Sequence, residues 1–148
     1  MEWLFDTNVL SESIRPRPDR MVMSRLGHMR PEQVAISILT LAELIKGAQA
    51  TPTMARRDEL ITWINNDLRP SFGERILLAD IHILTEWLGL TDRVLAARSS
   101  RKSADLLIAA TARIHRLTLV TRNWRDFAGT GVAAFDPWTG ETHRMHLL

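Results

Sequence analysis

The chain has 148 residues, of which 45% are hydrophobic and 24% are charged, and its formal net charge is +2. This length suits one folded domain over residues 1–148 and is short for two. The absence of cysteine excludes disulfides, thiolate metal ligands and thiol catalysis. No apolar run is long enough to span a membrane, and the acidic residues Glu2 and Asp6 stand where a signal peptide would be basic, so we expect a cytoplasmic protein.

The first part of the chain predicts a strand followed by two helices. Trp3 to Phe5 reads as a buried strand that stops at Asp6, and Asn8 offers a local cap for the next helix. The segment Arg15-Pro16-Arg17-Pro18 interrupts that helix, because each proline removes a backbone donor and restricts its predecessor. A second helix is predicted from a cap at Asp19 to about Met29.

The middle of the chain repeats the alternation of strand and helix. Val34 to Ser37 predicts a second buried strand, and Thr40 to Ile45 opens a helix that ends near Gly47. Between Thr53 and Leu68 the apolar residues recur at helical spacing, which predicts a helix closed by Pro70.

The last part of the chain adds three strand candidates and two helices. Ile76 to Ala79 is a brief strand, Ile83 to Val94 shows one apolar helical face, and Ser103 can cap a helix that runs through His115. Leu117 to Val120 and Val132 to Phe135 read as further strands. Alternating strands and helices predict an α/β fold with a central, mostly parallel sheet of about four to five strands covered on both faces.

Oxygen-bearing side chains recur where the predicted strands end. Asp6 follows the first strand, Glu43 lies early in the helix after the second, Asp105 lies early in the last helix, and Asn123 and Asp126 follow the strand after it. Functional groups of such sheets gather at the carboxyl ends of the strands. Carboxylates are ligands for hard ions such as Mg²⁺ or Mn²⁺, and without a cation they raise one another's pKa values. The set predicts a divalent metal site.

Each acid also has a purely structural interpretation. Asp6 suits a turn or a helix N-cap, Asp105 lies in a first helical turn where the macrodipole favours an anion, and Asp126 can cap the turn beside it. Glu43 is harder to explain in this way, because its apolar neighbours indicate a buried helix face where an unpaired carboxylate is costly. The metal-site prediction therefore depends on the set and not on any one acid.

Four segments, in order along the chain, resemble PIN-domain proteins of the VapC toxin type, close to the FitB-like branch. They read FDTNVLSE, SILTLAEL, ADLLIAATA, and LVTRNWRDF followed by VAAFDPW. The resemblance spans almost the whole chain. It implies a PIN-like α/β/α sandwich, a divalent-metal active site, and the endoribonuclease activity of a type II toxin that a cognate antitoxin holds in check.

The resemblance also assigns roles to single residues. Asp6, Glu43 and Asp105 fall on the three leading acids of the family, and Asp6 and Asp105 are the expected direct ligands of Mg²⁺, with Mn²⁺ as a possible substitute. Asn123 falls where many relatives have a fourth acid, which leaves the number of ligands and metal ions open. The site is therefore expected to comprise three acids and one amide.

The mechanism implied by the family is hydrolysis of an RNA phosphodiester bond by a metal-activated water, with Glu43 and Asp105 as alternative acceptors of its proton. Thr7 and Thr121 are expected to orient a carboxylate or a metal-bound water. The basic residues flanking the acids are expected to hold RNA phosphates, unless they simply form a solvated rim; they are Arg98, Arg101, Lys102, Arg122 and Arg125.

The family also implies partners. We expect a homodimer and a VapB-type antitoxin that carries a DNA-binding domain. The helical stripes around Trp63 and Trp87 are then either core or part of a partner-binding surface. The arginine-rich composition is a weak indication of nucleic-acid binding, because net charge is small.

Two other functions compete with the ribonuclease. A PIN fold that grips RNA or antitoxin without cutting is favoured by Asn123, whereas the three acids favour the enzyme. A phosphatase that uses Asp6 as its nucleophile is disfavoured, because Asn8 stands where such a motif would place its second aspartate. The closely spaced His143 and His146 predict a mobile tail and not a zinc site.

Overall fold

A six-stranded sheet forms the centre of the protein, for which a computed structural model describes all residues from 1 to 148. The strands are β1 (Trp3–Phe5), β2 (Val34–Ser37), β3 (Ile76–Leu77), β4 (Thr118–Val120), β5 (Ala133–Asp136) and β6 (Glu141–Arg144). Their order across the sheet is β3-β2-β1-β4-β5-β6, and only the β5–β6 pair is antiparallel. The mostly parallel α/β fold is confirmed, with one strand more than expected. The sequence of β6, Glu-Thr-His-Arg, lacks the apolar alternation that identifies a strand.

Seven helices surround the sheet. They are α1 (Thr7–Ser13), α2 (Arg20–Gly27), α3 (Ile38–Gln49), α4 (Met54–Trp63), α5 (Arg69–Phe72), α6 (Ile81–Ala96) and α7 (Ser103–His115). A π-helical turn over Ile64–Leu68 joins α4 to α5. Pro70 therefore does not close the predicted helix: it lies in α5, directly after the π-helical turn, where the hydrogen-bond ladder is already irregular. The helical run stops at Gly73, whose φ is 51°.

The helices cover both faces of the sheet because neighbouring strand residues point in opposite directions. Leu4 belongs to a buried cluster formed with α6 and α7, whereas Phe5 belongs to a second cluster formed with α1 and α3. The same alternation separates Ala35 from Ile36 on β2. The two clusters make this an α/β/α sandwich. None of its helices combines the length and apolar character needed to cross a membrane.

The strand order creates a crevice at the carboxyl end of β1. The chain runs from β1 to β2 and β3 on one side, and it then crosses to β4 on the other side of β1. Ligands of open α/β sheets bind where the strand order reverses in this way. Asp6 directly follows β1, and Thr121 directly follows β4, so both stand in that crevice.

Several local predictions are wrong. Asp6, and not Asn8, caps α1: its side chain accepts a hydrogen bond from the backbone N–H of Thr7. Ser103 is the first residue of α7 and caps nothing, because Lys102 occupies the cap position without a side-chain cap bond. The tail is ordered at His143, which lies in β6 and whose ring stacks on that of Trp124 with centroids 3.8 Å apart.

Candidate active site

Asp6 is the most completely anchored carboxylate of the site. It is only 7% exposed, and its Oδ1 accepts a hydrogen bond of 2.8 Å from the backbone N–H of Thr7. Its Oδ2 accepts from Thr121 Oγ1 at 2.7 Å and from Asn8 Nδ2 at 3.0 Å. Burial raises the pKa of Asp6, the hydrogen bonds oppose that shift, and the charge of Glu43 adds to it.

Asn8 ties the start of α1 to the segment after β4. Its Nδ2 donates to Thr121 Oγ1 as well as to Asp6, at 3.0 Å in each case. Its Oδ1 accepts from the backbone N–H of Arg122 at 3.1 Å. Because an amide offers both donors and an acceptor, Asn8 serves both sides of the crevice, which a carboxylate would not do.

Glu43 is positioned by Thr7. The Thr7 hydroxyl donates a hydrogen bond to Glu43 Oε2, across from α1 to α3. Glu43 is half-buried, and its neighbours Leu41 and Leu44 face the core, so α3 aims this carboxylate at the crevice. Thr7 and Thr121 thus orient carboxylates, as expected from the sequence.

Burial and the negative charges of the other acids raise the pKa of Asp105. Its pKa is raised to about 6, first by burial and then by the negative charges of Asp126, Asp6 and Glu43, and only Lys102 opposes these effects. Asp105 is half-buried in the first turn of α7. The three predicted leading acids therefore stand close enough to feel one another's charge.

Asn123 and Asp126 lie on the outer side of this cluster. Both are exposed, and Asp126 belongs to a 3₁₀ turn over Trp124–Phe127. The backbone N–H of Asn123 donates to Thr121 Oγ1 at 3.0 Å, and its side chain makes no capping bond to that turn. The prediction that Asp126 caps the turn is wrong, and its charge acts on Asp105 instead.

The basic residues around the site differ in how they are held. Arg122 lies over the Trp138 ring at 5.1 Å, and Arg125 lies over the Trp124 ring at 4.2 Å. Both arginines are exposed, so their guanidinium groups face solvent at the rim. Cation–π contacts of this kind hold a guanidinium in place without using its donors.

The other predicted rim residues differ in exposure and in hydrogen bonding. Arg101 is half-buried, and its guanidinium donates to the backbone carbonyls of Ala128 and Ser100 at 3.0 and 2.8 Å. Arg98 and Lys102 are exposed. Arg98 has a φ of 52°, in the left-handed region that is uncommon outside glycine. Of the five, Arg101 has the most donors already engaged within the chain.

The donor set fits a hard divalent cation. All the acids gathered here offer oxygen donors, and the charges of three other carboxylates act on Asp105 against that of a single lysine, an excess of negative charge that a cation would neutralise. No three histidine, aspartate or glutamate side chains come close enough together to enclose an ion on their own. Mg²⁺ does not require that, because it uses one or two protein carboxylates and keeps several waters.

Comparison with known families places this site in context. The PIN domain family matches residues 3–132, which include all four predicted site residues. The chain belongs to the PIN domain family. The resemblance stated from the motifs is thereby confirmed.

Three individual relatives of this PIN domain match it over most of its length. Toxin FitB of Neisseria gonorrhoeae is 33% identical over 135 residues, which cover 91% of this chain and 97% of the relative. The VapC ribonuclease Y4jK of Sinorhizobium fredii is 30% identical, with 91% and 96% covered. The plasmid stability protein StbB of Pseudomonas syringae pv. tomato is 32% identical, with 91% and 97% covered.

Solved structures agree with the sequence comparison. The crystal structure of FitAcB from Neisseria gonorrhoeae superposes with a TM-score of 0.87 at 33% identity and covers 92% of this PIN domain and 98% of that chain. A toxin-antitoxin complex from Klebsiella pneumoniae superposes with a TM-score of 0.65 at 29% identity, covering 92% and 98%. These relatives carry the same fold over nearly their whole length.

Sequence reasoning missed three contributors to the site. Asn8 was interpreted as a cap because asparagine commonly starts helices, although its place inside the DTN motif hinted at more. Trp124 and Trp138 were not connected with the rim, because a contact between an arginine and an aromatic ring has no periodic signature. The pairing of these rings with Arg125 and Arg122 appears only in the folded structure.

Proposed function

We propose that this PIN domain is the toxin of a type II toxin-antitoxin system and acts as a Mg²⁺-dependent endoribonuclease, with Mn²⁺ as a possible substitute. The observation that carries the proposal is the gathering of acids at the crevice: Thr121 holds Asp6 and Thr7 holds Glu43, and Asp105 lies close enough that their charges add to the rise of its pKa to about 6. The relatives named as toxins and as a VapC ribonuclease support the reaction and the substrate.

In this proposal Asp6 and Asp105 are the direct metal ligands. Asp6 is fixed in one orientation by Thr7, Asn8 and Thr121, and such outer hydrogen bonds normally accompany a metal-binding carboxylate. Asp105 approaches from α7. Asn123 supplies a neutral amide at the position of a fourth acid. It would therefore bind the divalent cation less strongly than a carboxylate.

The reaction proposed is hydrolysis of a phosphodiester bond in RNA. When bound, the divalent cation lowers the pKa of water and neutralises charge on a phosphoryl oxygen. Glu43 accepts the proton of the attacking water at Oε1, because Oε2 already accepts the Thr7 hydroxyl. Arg98, Arg101, Lys102, Arg122 and Arg125 hold the flanking phosphates of the strand.

A cleavage assay tests the proposal. The purified protein, free of antitoxin, should cleave single-stranded RNA with Mg²⁺ or Mn²⁺ and lose this activity in chelator. Asp6→Asn and Asp105→Asn should each reduce the rate by about 100-fold or more, because loss of a direct ligand should cost more than the roughly 10–100-fold typical of an outer-shell partner. Asp92→Asn, an exposed acid on α6, is the matched control and should cleave normally.

A metal-binding measurement accompanies the cleavage assay. Mn²⁺ should raise the melting temperature of the wild type and of Asp92→Asn, because a ligand bound only by the folded state stabilises it. Asp105→Asn should show little of this rise. Equal cleavage in chelator, or an equal rise in Asp105→Asn, would refute the metal mechanism.

The competing function is a PIN fold that binds RNA or antitoxin without cutting, and Asn123 is the feature that favours it. A wild type that binds RNA and Mn²⁺ but leaves the RNA intact would establish that alternative. Asn123→Asp is then informative, because a restored fourth acid should produce cleavage.

The toxin role has its own test. Expression of the wild type in bacterial cells should arrest growth, and co-expression of a neighbouring antitoxin gene should relieve the arrest. Asp105→Asn should be harmless at the same protein level. Growth arrest by both versions would show that toxicity does not depend on the proposed cleavage.

We also expect a homodimer and an antitoxin with a DNA-binding domain, in line with the relatives solved as complexes, among them FitAB bound to a DNA fragment.

A further inference from the structure

A cavity of about 300 Å³ opens beside Glu43, between α1, α3 and α4. Thr7 and Glu43 form one side of it and also belong to the candidate active site. Its volume is at the lower end of the range for small-molecule sites, about 300–1,000 Å³. The cavity therefore has room for one small ring-sized group and is too small to enclose a helix.

The wall of this cavity combines an apolar interior with polar groups. Trp63 and Leu60 of α4 supply aromatic and aliphatic surface, and Ser11 and Arg56 add a hydroxyl and a guanidinium. Arg56 is held in place, because it donates to the Ile14 carbonyl at 2.8 Å and to Glu59 at 2.9 Å. The wall is thus largely formed before any ligand enters.

We propose that this cavity receives one unpaired base of the RNA strand next to the scissile phosphodiester bond, and that it sets the sequence preference of cleavage. The inference rests on the proposed function, since it places the phosphate at the acids. A strand whose scissile phosphate is held by the cation at Asp6 and Asp105 brings a neighbouring base to the cavity mouth, because Glu43 belongs both to the site and to the cavity wall. A base has apolar faces and a polar edge, which match this wall.

The general logic of RNA recognition supports that occupant. Proteins read single-stranded RNA by splaying out bases, stacking them on aromatic side chains or guanidinium planes, and binding their edges through hydrogen bonds. Trp63 and Arg56 offer both kinds of stacking surface, and Ser11 offers a donor and an acceptor. An apolar side chain from an antitoxin is the alternative occupant that the experiment must distinguish.

Gly47 allows a clean test of the cavity. It lies in the last turn of α3 and lines the cavity, and a Cβ added there would meet no atom within 4 Å. Because that Cβ meets no atom, we expect the longer side chain of Gly47→Leu to occupy part of the cavity without displacing the backbone, and replacing a helical glycine favours the helix. Gly27→Leu is the matched control, because Gly27 is also helical with open space at its Cβ but lies on α2. Gly47→Ala fills less of the cavity. It provides a milder variant in case Gly47→Leu fails to fold.

The experiment measures kcat/KM on a short RNA with one cleavage position and on matched RNAs with a single abasic ribose at each flanking position. For the wild type, one abasic substitution should lower kcat/KM by about 5–100-fold, the effect of one lost stacked base. Gly47→Leu should show the same loss on intact RNA and no further loss on that abasic RNA. Gly47→Ala should lose less, and Gly27→Leu should match the wild type on every substrate.

Binding provides a second readout that does not depend on cleavage. In the Asp105→Asn background, the affinity for the intact RNA should fall on adding Gly47→Leu, and the affinity for the abasic RNA should not. If the wild type never cleaves RNA, the proposed function fails, and this binding comparison alone decides the cavity. Unchanged cleavage and binding in Gly47→Leu would overturn the inference. So would normal cleavage with lost antitoxin binding, which would assign the cavity to a peptide.

Discussion

Thr121 shows how much of the site depends on one hydroxyl. Its Oγ1 donates to Asp6 Oδ2 and accepts from Asn8 Nδ2 and from the backbone N–H of Asn123. The residue is fully buried, so none of these partners has water as a substitute at that position. One side chain thereby connects the end of β1, the start of α1 and the segment after β4.

Thr121→Val keeps the shape of this residue and removes its hydrogen bonds. We expect a loss of about 1–3 kcal/mol in the free energy of unfolding, because buried polar partners are left unsatisfied. Cleavage should fall by about 10–100-fold, since Asp6 loses part of its orientation. Denaturant melts and cleavage rates measure the two effects. Thr118→Val, at the other end of β4, is the control, and equal behaviour of both variants would contradict the role of Thr121.

Asp105 gives the stability a predictable dependence on pH. Its folded pKa of about 6 lies above the ordinary value of 3.8, so the folded state binds the proton more tightly than the unfolded state. The ionised carboxylate therefore costs stability above about pH 6, and this cost disappears as the pH falls toward 3.8. Because the side chain is only half-buried, solvent screening reduces the cost to about 1 kcal/mol.

The corresponding variant is Asp105→Asn, measured in chelator. It should melt about 2–4 °C above the wild type at pH 8, and the difference should shrink as the pH falls from 7 to 4.5. Asp92→Asn should track the wild type throughout. A difference between Asp105→Asn and the wild type that grows toward acid pH would show that the sign of this argument is wrong.

At the scale of elements, β6 and the turn after β4 together build one side of the rim. The antiparallel pairing of β6 with β5 brings His143 onto the Trp124 ring, where the two planes lie within 12° of parallel. Arg125 contacts the same ring at 4.2 Å. A strand outside the family motifs therefore helps to position a residue proposed to bind phosphate.

Two variants separate the charge of Arg125 from its support. Arg125→Gln should weaken binding of single-stranded RNA and reduce the slope of log K against log salt concentration by about 0.7, because one phosphate contact is lost. Trp124→Leu should weaken binding about 2–5-fold and leave that slope unchanged, since the charge remains but its cation–π contact does not. Arg20→Gln on α2 is the charge-matched control. Unchanged affinity in Trp124→Leu would exclude the positioning role.

At the scale of the whole molecule, the C-terminal segment holds separate layers together. Arg25 of α2 donates to the carbonyls of Pro137 and Trp138 at 2.7 and 2.9 Å. The backbone N–H of Leu148 donates to the Gly129 carbonyl at 3.0 Å, and Arg93 of α6 donates to the Leu148 carbonyl at 2.9 Å. This segment lies beyond the stretch matched by the family, which ends at residue 132.

Removal of residues 139–148 should therefore destabilise the protein. It deletes β6 and leaves β5 as an unpaired edge, with a loss of about 3–5 kcal/mol if each of several hydrogen bonds contributes about 1 kcal/mol. The melting temperature should fall by about 10 °C, and aggregation should increase because an open strand edge invites pairing. Removal of residues 147 and 148 alone is the milder control. An unchanged melting temperature in the larger truncation would show that β6 is dispensable.

Much of this architecture was predictable because its signals are local. The strands before Asp6 and after Leu117 are short apolar runs, and the acids that follow them come from an ordered series of motifs. β6 was missed because Glu141 to Arg144 is polar on both faces, and its pairing depends on β5 alone. The roles of Asn8 and Trp124 depend on partners distant in sequence, which no local pattern contains.

The pairing of β1 with β4 has a consequence during synthesis of the protein on the ribosome. Asp6 and Thr121 are 115 residues apart, and β1 lacks its β4 neighbour until the chain has been made as far as β4. At about 5–20 residues per second, that interval lasts on the order of ten seconds. During this time the nascent chain has Asp6 but neither the hydroxyl that orients it nor the segment that carries Asn123. The ribonuclease proposed for this site would thus stay inactive until the ribosome has made the segment that follows β4.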